Sequence, residues 1–244
     1  MRRLRPARLA LAGGAVVLVV VVVLLVVLAP RSPTVPEPQP TYAAPAPLPP
    51  AASHVTHKGI QNLVDSTWLD ATSIDTGIPR AALAAYAGAA LKKHRTMPTC
   101  GVSWNTLAAI GYVESRHGSH GGAEIADDGT VSPPIFGVSL AGGATATIPD
   151  TDQGKLDGDA QYDRAMGPMQ MIPQTWRNWA TDGSGDGVKD PQNIDDEVMA
   201  AANYLCRASP DMVGVAGWQK GIASYNSAPA YLHAVARAAI AYAG

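Results

Sequence analysis

At 244 residues the chain is long enough for one compact domain with attachments. Eighteen basic and twenty acidic residues give a formal net charge of −2, and five of the basic ones fall in the first 31 positions. The rest sets thirteen basic residues against twenty acidic ones, near −7. That balance argues against a nucleic-acid partner, whose phosphates need a basic face, and against a charge-driven grip on an anionic polymer.

The chain starts with MRRLRPAR, four arginines in eight residues, followed by 21 uncharged residues from Leu9 to Ala29. That length spans a bilayer core as a helix. The arginines ahead of it predict a cytoplasmic N-terminus and a chain that continues outside the membrane. The alternative is a cleaved signal peptide and a secreted product. The apolar run is longer than an ordinary signal core, and Ala29 is followed by Pro30, so an uncleaved single-pass anchor over residues 1–29 is favoured. Residues 30–53 are proline-rich at first and predict an extended, semi-stiff linker. A globular, extracytoplasmic domain is expected over residues 54–244.

Within that domain the apolar periods are helical. Pro79 stands at the start of an alanine-rich helix, Arg80–Arg95. Cys100 and Cys206 are the two cysteines, and outside the membrane they are most simply a disulfide. Ser103 reads as the N-cap of a helix from Trp104 to about His117, stopped by Gly118. Residues 119–165 are rich in Gly, Asp and Pro and too long for a silent loop. Pro173 opens a short helix to about Thr181, Asp195 caps a helix through EVMAAANYLCRA, Trp218–Tyr225 forms a short one, and Ser227 with Pro229 starts the last. The fold class is mostly α: an irregular bundle of five to seven helices with long connections.

Residues 182–193, DGSGDGVKDPQN, place Asp182, Ser184 and Asp186 at positions 1, 3 and 5 of an EF-hand-like loop, with Gly187 at the turn and the Val188 carbonyl at 7. Asn193 stands where a glutamate usually completes the site. A structural Ca²⁺ ion is one reading, and a solvated Asp-Gly turn is the other.

One carboxylate is out of place. Trp104, Leu107, Gly111 and Glu114 form a single stripe along their helix, so Glu114 extends the inward line. It also lies in the last turn, where the helix dipole opposes negative charge. Both effects predict a raised pKa, and an acid that keeps its proton near neutrality can give it to a leaving group. Gly111 is expected to leave open space for a groove one turn away. The competing expectation is a buried ion pair with Arg116 or Arg164.

GYVESRHG (111–118), DRAMGPMQMIPQTW (163–176) and SYNSAPAYL (224–232) occur in that order. Together they resemble the lytic murein transglycosylases of the B type, actinobacterial branch, across residues 55–244. The resemblance implies a lysozyme-like catalytic domain that cleaves the MurNAc–GlcNAc β-1,4 bond of peptidoglycan and leaves 1,6-anhydro-MurNAc ends. It implies Glu114 as the single catalytic residue, acid and then base, with no cofactor for catalysis. It implies substrate contacts from Ser115, Met166, Gly167, Gln170, Tyr225 and Asn226, the tyrosine orienting the acid. A family serine upstream of the Met-Gly turn is replaced by Gln161. The expected partners are glycan strands, the membrane, and cell-wall synthesis or division proteins. Two other readings stay open: a hydrolytic muramidase with a second carboxylate (Glu124, Asp127 or Asp128), and a non-catalytic wall-binding module.

Overall fold

The computed structural model describes residues 38–55, 57–143 and 145–244. The apolar run at 9–29 and residues 30–37 of the expected linker lie outside them. Among the described residues no helix is long and apolar enough to cross a membrane.

The folded unit spans Gln39–Gly244. Seven α-helices carry it among the described residues: α1 (Ser66–Thr76), α2 (Arg80–Thr96), α3 (Trp104–Ser115), α4 (Pro173–Trp179), α5 (Ile194–Ala208), α6 (Val215–Tyr225) and α7 (Pro229–Ala243). Alanine-rich α2 is buried almost along its whole length, and its small side chains let α3 and α5 pack closely around it. α3 lies along α7. The disulfide Cys100–Cys206 forms, with 5.4 Å between the Cα atoms. It ties the start of α3 to the end of α5 over a sequence separation of 106 residues, a cross-link that stabilises by about 4–5 kcal/mol in the chain-entropy model.

Helix ends differ from expectation in instructive ways. Asn193, not Asp195, caps α5: its side-chain oxygen accepts from the backbone N–H groups of Asp195 and Asp196. Ser103 precedes α3 but its hydroxyl bonds Asn105 and Thr106 side chains instead of a backbone N–H. Ser227 likewise makes no cap for α7, whose flanking residue is Ala228.

The linker region also departs from expectation. Residues 39–50 do not stand free but run as an extended strap over the helices. The Tyr42 hydroxyl donates to the Val213 carbonyl at 2.7 Å. Asn105 of α3 accepts from the Ala46 N–H and donates to the Ala44 carbonyl. The Trp104 indole N–H donates to the Pro47 carbonyl. Ala43 and Ala46 are buried in the main core. The small alanines of this proline-rich segment give it an apolar side that packs.

Segment 119–165 holds two antiparallel pairs, β1 (Glu124–Ile125) with β2 (Val131–Ser132) and β3 (Phe136–Ser139) with β4 (Arg164–Met166). Much of the rest is organised by carboxylates that accept from backbone N–H groups. Asp150 takes those of Asp152, Gln153 and Gly154, and Asp157 those of Asp159 and Arg164. Asp163, fully buried, takes the N–H and the hydroxyl of Thr151. Short acidic side chains of this kind stand in for strand ladders as partners of the backbone.

Candidate active site

α3 ends two residues before the expected stop. Arg116 already adopts the left-handed conformation, φ 55°, and His117 follows at φ 60°. Two such non-glycine residues in a row cost on the order of 1–2 kcal/mol each. The side chains offset that cost. His117 is buried between two tyrosine hydroxyls, Tyr86 at 3.2 Å and Tyr242 at 2.9 Å, and Arg116 lies over the Tyr112 ring at 4.2 Å. Burial, reinforced by the charge of Arg116, lowers the imidazole pKa to about 4, so His117 is neutral at ordinary pH.

The stripe predicted from spacing is present: Trp104 and Leu107 are buried and Glu114 is partly buried on the same side. Gly111, however, opens no space. A Cβ there would come within 2.1 Å of the Tyr86 hydroxyl, so this glycine admits a tyrosine, not a groove.

Among the described residues, Glu114 is paired with no arginine. Arg164 donates to the Gly137 carbonyl at 2.8 Å and lies over Phe136. The partner of Glu114 is Tyr231 of α7, whose hydroxyl donates to Oε1 at 2.5 Å. Burial pushes the Glu114 carboxyl up to about 7, while the tyrosine bond pulls the other way. Desolvation wins because one neutral hydroxyl replaces only part of the lost hydration.

The residues brought together around it are held by the turn Gly167–Gln170, closed by reciprocal backbone bonds between Met166 and Met171. Ser115 is 2 % exposed and so meets the turn, not solvent: its hydroxyl donates to the Pro168 carbonyl at 2.6 Å and accepts from the Gly118 N–H. Met166 is fully buried and Gly167 is packed inside, so both shape the turn from within. Gln170, at φ 51°, has its amide folded back onto the Gly167 carbonyl at 2.9 Å. The Tyr225 hydroxyl donates to the Met169 carbonyl at 2.7 Å. Tyr225 was expected on the acid. Instead its ring stacks on that of Tyr231, planes 3° apart, and Tyr231 makes the contact with Glu114. Gln161, at the position of the family serine, lies away from the acid, its carbonyl accepting from Asp150.

A groove of about 740 Å³ runs past this assembly. Gln170, Tyr204, Tyr225 and Asn226 line its helical side, and Leu140 and Ile148 from the irregular segment line the other. Glu114 does not line this groove; it is linked to it through the Tyr225–Tyr231 stack. A second groove, about 570 Å³, follows the α3–α7 seam beside Val113 and Arg116.

With the acid, its tyrosine and the flanking groove in place, the comparison with known families can be read. Residues 149–221 match the family described as the transglycosylase SLT domain. The match covers the Met-Gly-Pro-Met-Gln turn, α4, α5 and part of α6, and leaves α3 with Glu114 outside it. No curated protein and no solved structure matches the chain.

Two residues of this centre are not marked by the sequence pattern. Tyr231 lies within SYNSAPAYL, where spacing does not point it at Glu114. Glu197, in the first turn of α5, went unnoticed; its carboxyl is completely buried behind the turn and accepts from the Met169 N–H at 2.5 Å and the Met171 N–H at 3.3 Å. Burial drives its pKa well above the carboxylate range, against those two bonds, and the charge of Glu114 adds to the rise. A glutamate four residues after a helix-capping asparagine and followed by an apolar helix was the only available hint.

The other acids considered as a second catalytic group are remote in character. Glu124, Asp127 and Asp128 are exposed, and Asp128 accepts from the Thr130 N–H. In the loop 182–193, Asp182 accepts from the N–H groups of Gly185 and Gly187 and from Ser184, and Asp186 from the Val188 N–H. Asn193 is committed as the α5 cap and donates to the Asp128 carbonyl, so the five-donor set drawn from spacing loses that member. The acidic side chains that converge within 4.8 Å among the described residues are Asp150, Asp152 and Asp163.

Proposed function

We propose that the chain is a peptidoglycan lytic transglycosylase in which Glu114 is the one catalytic carboxyl. The observation that carries the reading is the state of Glu114: partly buried, without a cationic partner among the described residues, with a proton affinity near neutrality and one hydroxyl to hold it. In the first step the protonated carboxyl gives its proton to the glycosidic oxygen as the bond from C1 of the N-acetylmuramoyl unit breaks. The muramoyl N-acetyl group shares the positive charge at that carbon, the substrate-assisted route among glycosidases. The Glu114 carboxylate then removes the proton of the C6 hydroxyl, whose oxygen bonds to C1. The ring closes as a 1,6-anhydro end, the carboxyl is protonated again, and no water is consumed.

Tyr231 keeps the carboxylate oriented between the two steps by donating to it. Gln170, Tyr225 and Asn226 supply hydrogen bonds and an aromatic face to the sugars along the groove, and the strand passes from it over the Tyr225–Tyr231 pair to bring the scissile bond to Glu114. That manner of binding suits an acidic domain, which gains nothing from charge attraction to a glycan. Glu197, whose carboxyl feels the charge of Glu114, has both oxygens on backbone N–H groups and no solvent access, which favours a single-acid route over a paired-carboxylate hydrolysis.

The anchor at 1–29 would hold the domain on the outer face of the cell membrane, where its glycan substrate and cell-wall synthesis or division proteins are found. Calcium in the 182–193 loop, on Asp182, Ser184, Asp186 and the Val188 carbonyl, would act on stability alone. A rise in Tm with Ca²⁺ that EGTA reverses is the expected result.

The decisive test is mass spectrometry of sacculi digested with the purified protein. Fragments lighter by one water, with 1,6-anhydro ends, support the reading. Reducing ends mean a hydrolase, and binding without fragments means a wall-binding module.

A further inference from the structure

Three side chains grip the turn Gly167–Gln170 from three directions. Ser115, next to the acid, holds the Pro168 carbonyl; Tyr225 holds the Met169 carbonyl; Glu197 holds the N–H groups of Met169 and Met171. Glu197 is the one among them with no exposed surface, and among the described residues it is the sole partner of the Met169 N–H. The turn is built around it. Gly167, at φ 69°, has no room for a side chain: a Cβ would lie 2.5 Å from Glu197 Oε2 and 1.9 Å from the Pro191 carbonyl. A turn with a non-glycine residue, Gln170, in the left-handed conformation needs such over-determination to persist.

A fully buried carboxyl is costly unless its oxygens are used. Here both are used, and both on the backbone that flanks Gln170. We infer that Glu197 is a positioning residue: from behind the turn it fixes the backbone on either side of Gln170 and so presents Gln170 to the sugar strand. Glutamine at this site would set an NH2 group against one of the two N–H groups; the Met171 N–H keeps the Met166 carbonyl, so the disturbance falls on the Met169 N–H and lets the turn relax.

This inference rests on the proposed role of Gln170, and the test separates the two. In wild-type full-length protein labelled with ¹⁵N, the Met169 amide should exchange slowly with solvent, although it belongs to no helix or strand. Rapid exchange overturns the clamp without any variant. For activity on soluble, uncross-linked glycan strands, Gln170→Ala and Glu197→Gln should each raise KM about tenfold with a smaller change in kcat, since a sugar contact is lost and the acid is kept. The double variant should be no worse than Gln170→Ala, because two residues acting through one contact are not additive. Additive losses, or a Glu197→Gln effect confined to Tm, overturn the positioning role. A silent Gln170→Ala with a protected Met169 amide places the fault in the sugar contact and not in the clamp.

Discussion

The helical half of the domain and the irregular segment 119–165 solve the same problem by different means. In the helical half the backbone satisfies itself, and the side chains are free to pack or to act; Glu114 is the one carboxyl that α3 points inward. In the irregular segment the backbone is satisfied by side chains. Asp150, Asp157, Asp159 and Asp163 each accept from main-chain N–H groups, so their acidity is spent on shape. The Ser139 hydroxyl and the amides of Gln161 and Tyr162 hold the Asp159 carboxyl below its ordinary pKa, the opposite of Glu114. Glu114, desolvated and with one donor, keeps its proton to higher pH, and Asp159, nearer solvent and with three, gives its proton up earlier; buried Glu197 shows that desolvation can outweigh two donors.

The sharpest way to break that contrast is Glu114→Gln. Release of glycan fragments from sacculi should fall by at least about 100-fold, the usual scale of a general acid. Stability should move the other way. The folded carboxyl is raised above its unfolded value, so its contribution is complete in acid and is lost as pH climbs toward about 7. The glutamine variant therefore should melt higher than wild type at pH 8 and no higher at pH 4, by calorimetry. Equal activity in the variant ends the single-acid reading.

Tyr231→Phe is expected next in size, with kcat reduced about tenfold for one lost hydrogen bond to a charged group. Its signature is the direction of the pH profile. The tyrosine lowers the pKa of Glu114, so the alkaline limb of kcat/KM, near 7 in wild type, should shift upward in the variant. A downward shift would mean that the hydroxyl serves the protonated acid instead.

On the other side of the comparison, Asp163→Ala leaves the Thr151 N–H and hydroxyl without their buried acceptor. A loss of about 1–3 kcal/mol is expected in denaturant titration, together with a higher KM as the wall carrying Ile148 loosens. The pH profile set by Glu114 should stay in place. The smallest effect belongs to Glu124→Gln and Asp127→Asn, exposed acids that should change activity by less than about twofold, in keeping with surface substitutions. A large loss from either would restore the case for a second carboxyl in this segment.

How far the sequence could be read follows the same division. Periodicity exposed α2, α3, α5, α6 and α7, and it placed Glu114 on the inner stripe, because a helix converts spacing into direction. The same rule could not say what faces the stripe. Gly111 was read as room for a groove and turned out to be room for Tyr86, since a neighbour 25 positions earlier leaves no trace in local spacing. Tyr231 and Glu197 were missed for a related reason. Their roles come from approach to α3 and to the turn across 117 and 28 positions. In the segment 119–165, abundant Asp and Gly said only that the backbone was irregular, not which carboxylate held which amide.

The strap formed by residues 39–50 has a mechanical consequence. It is fastened to Trp104 and Asn105 on α3, and, through Gln39 and Pro40, to Arg237 and His233 on α7. Those are the two helices whose carboxyl and phenol meet at the reacting centre. A tug on the strap at Gln39 is therefore met first by α7, the strut that carries Tyr231, then by Gln219 and Val213, and reaches α3 with Glu114 last.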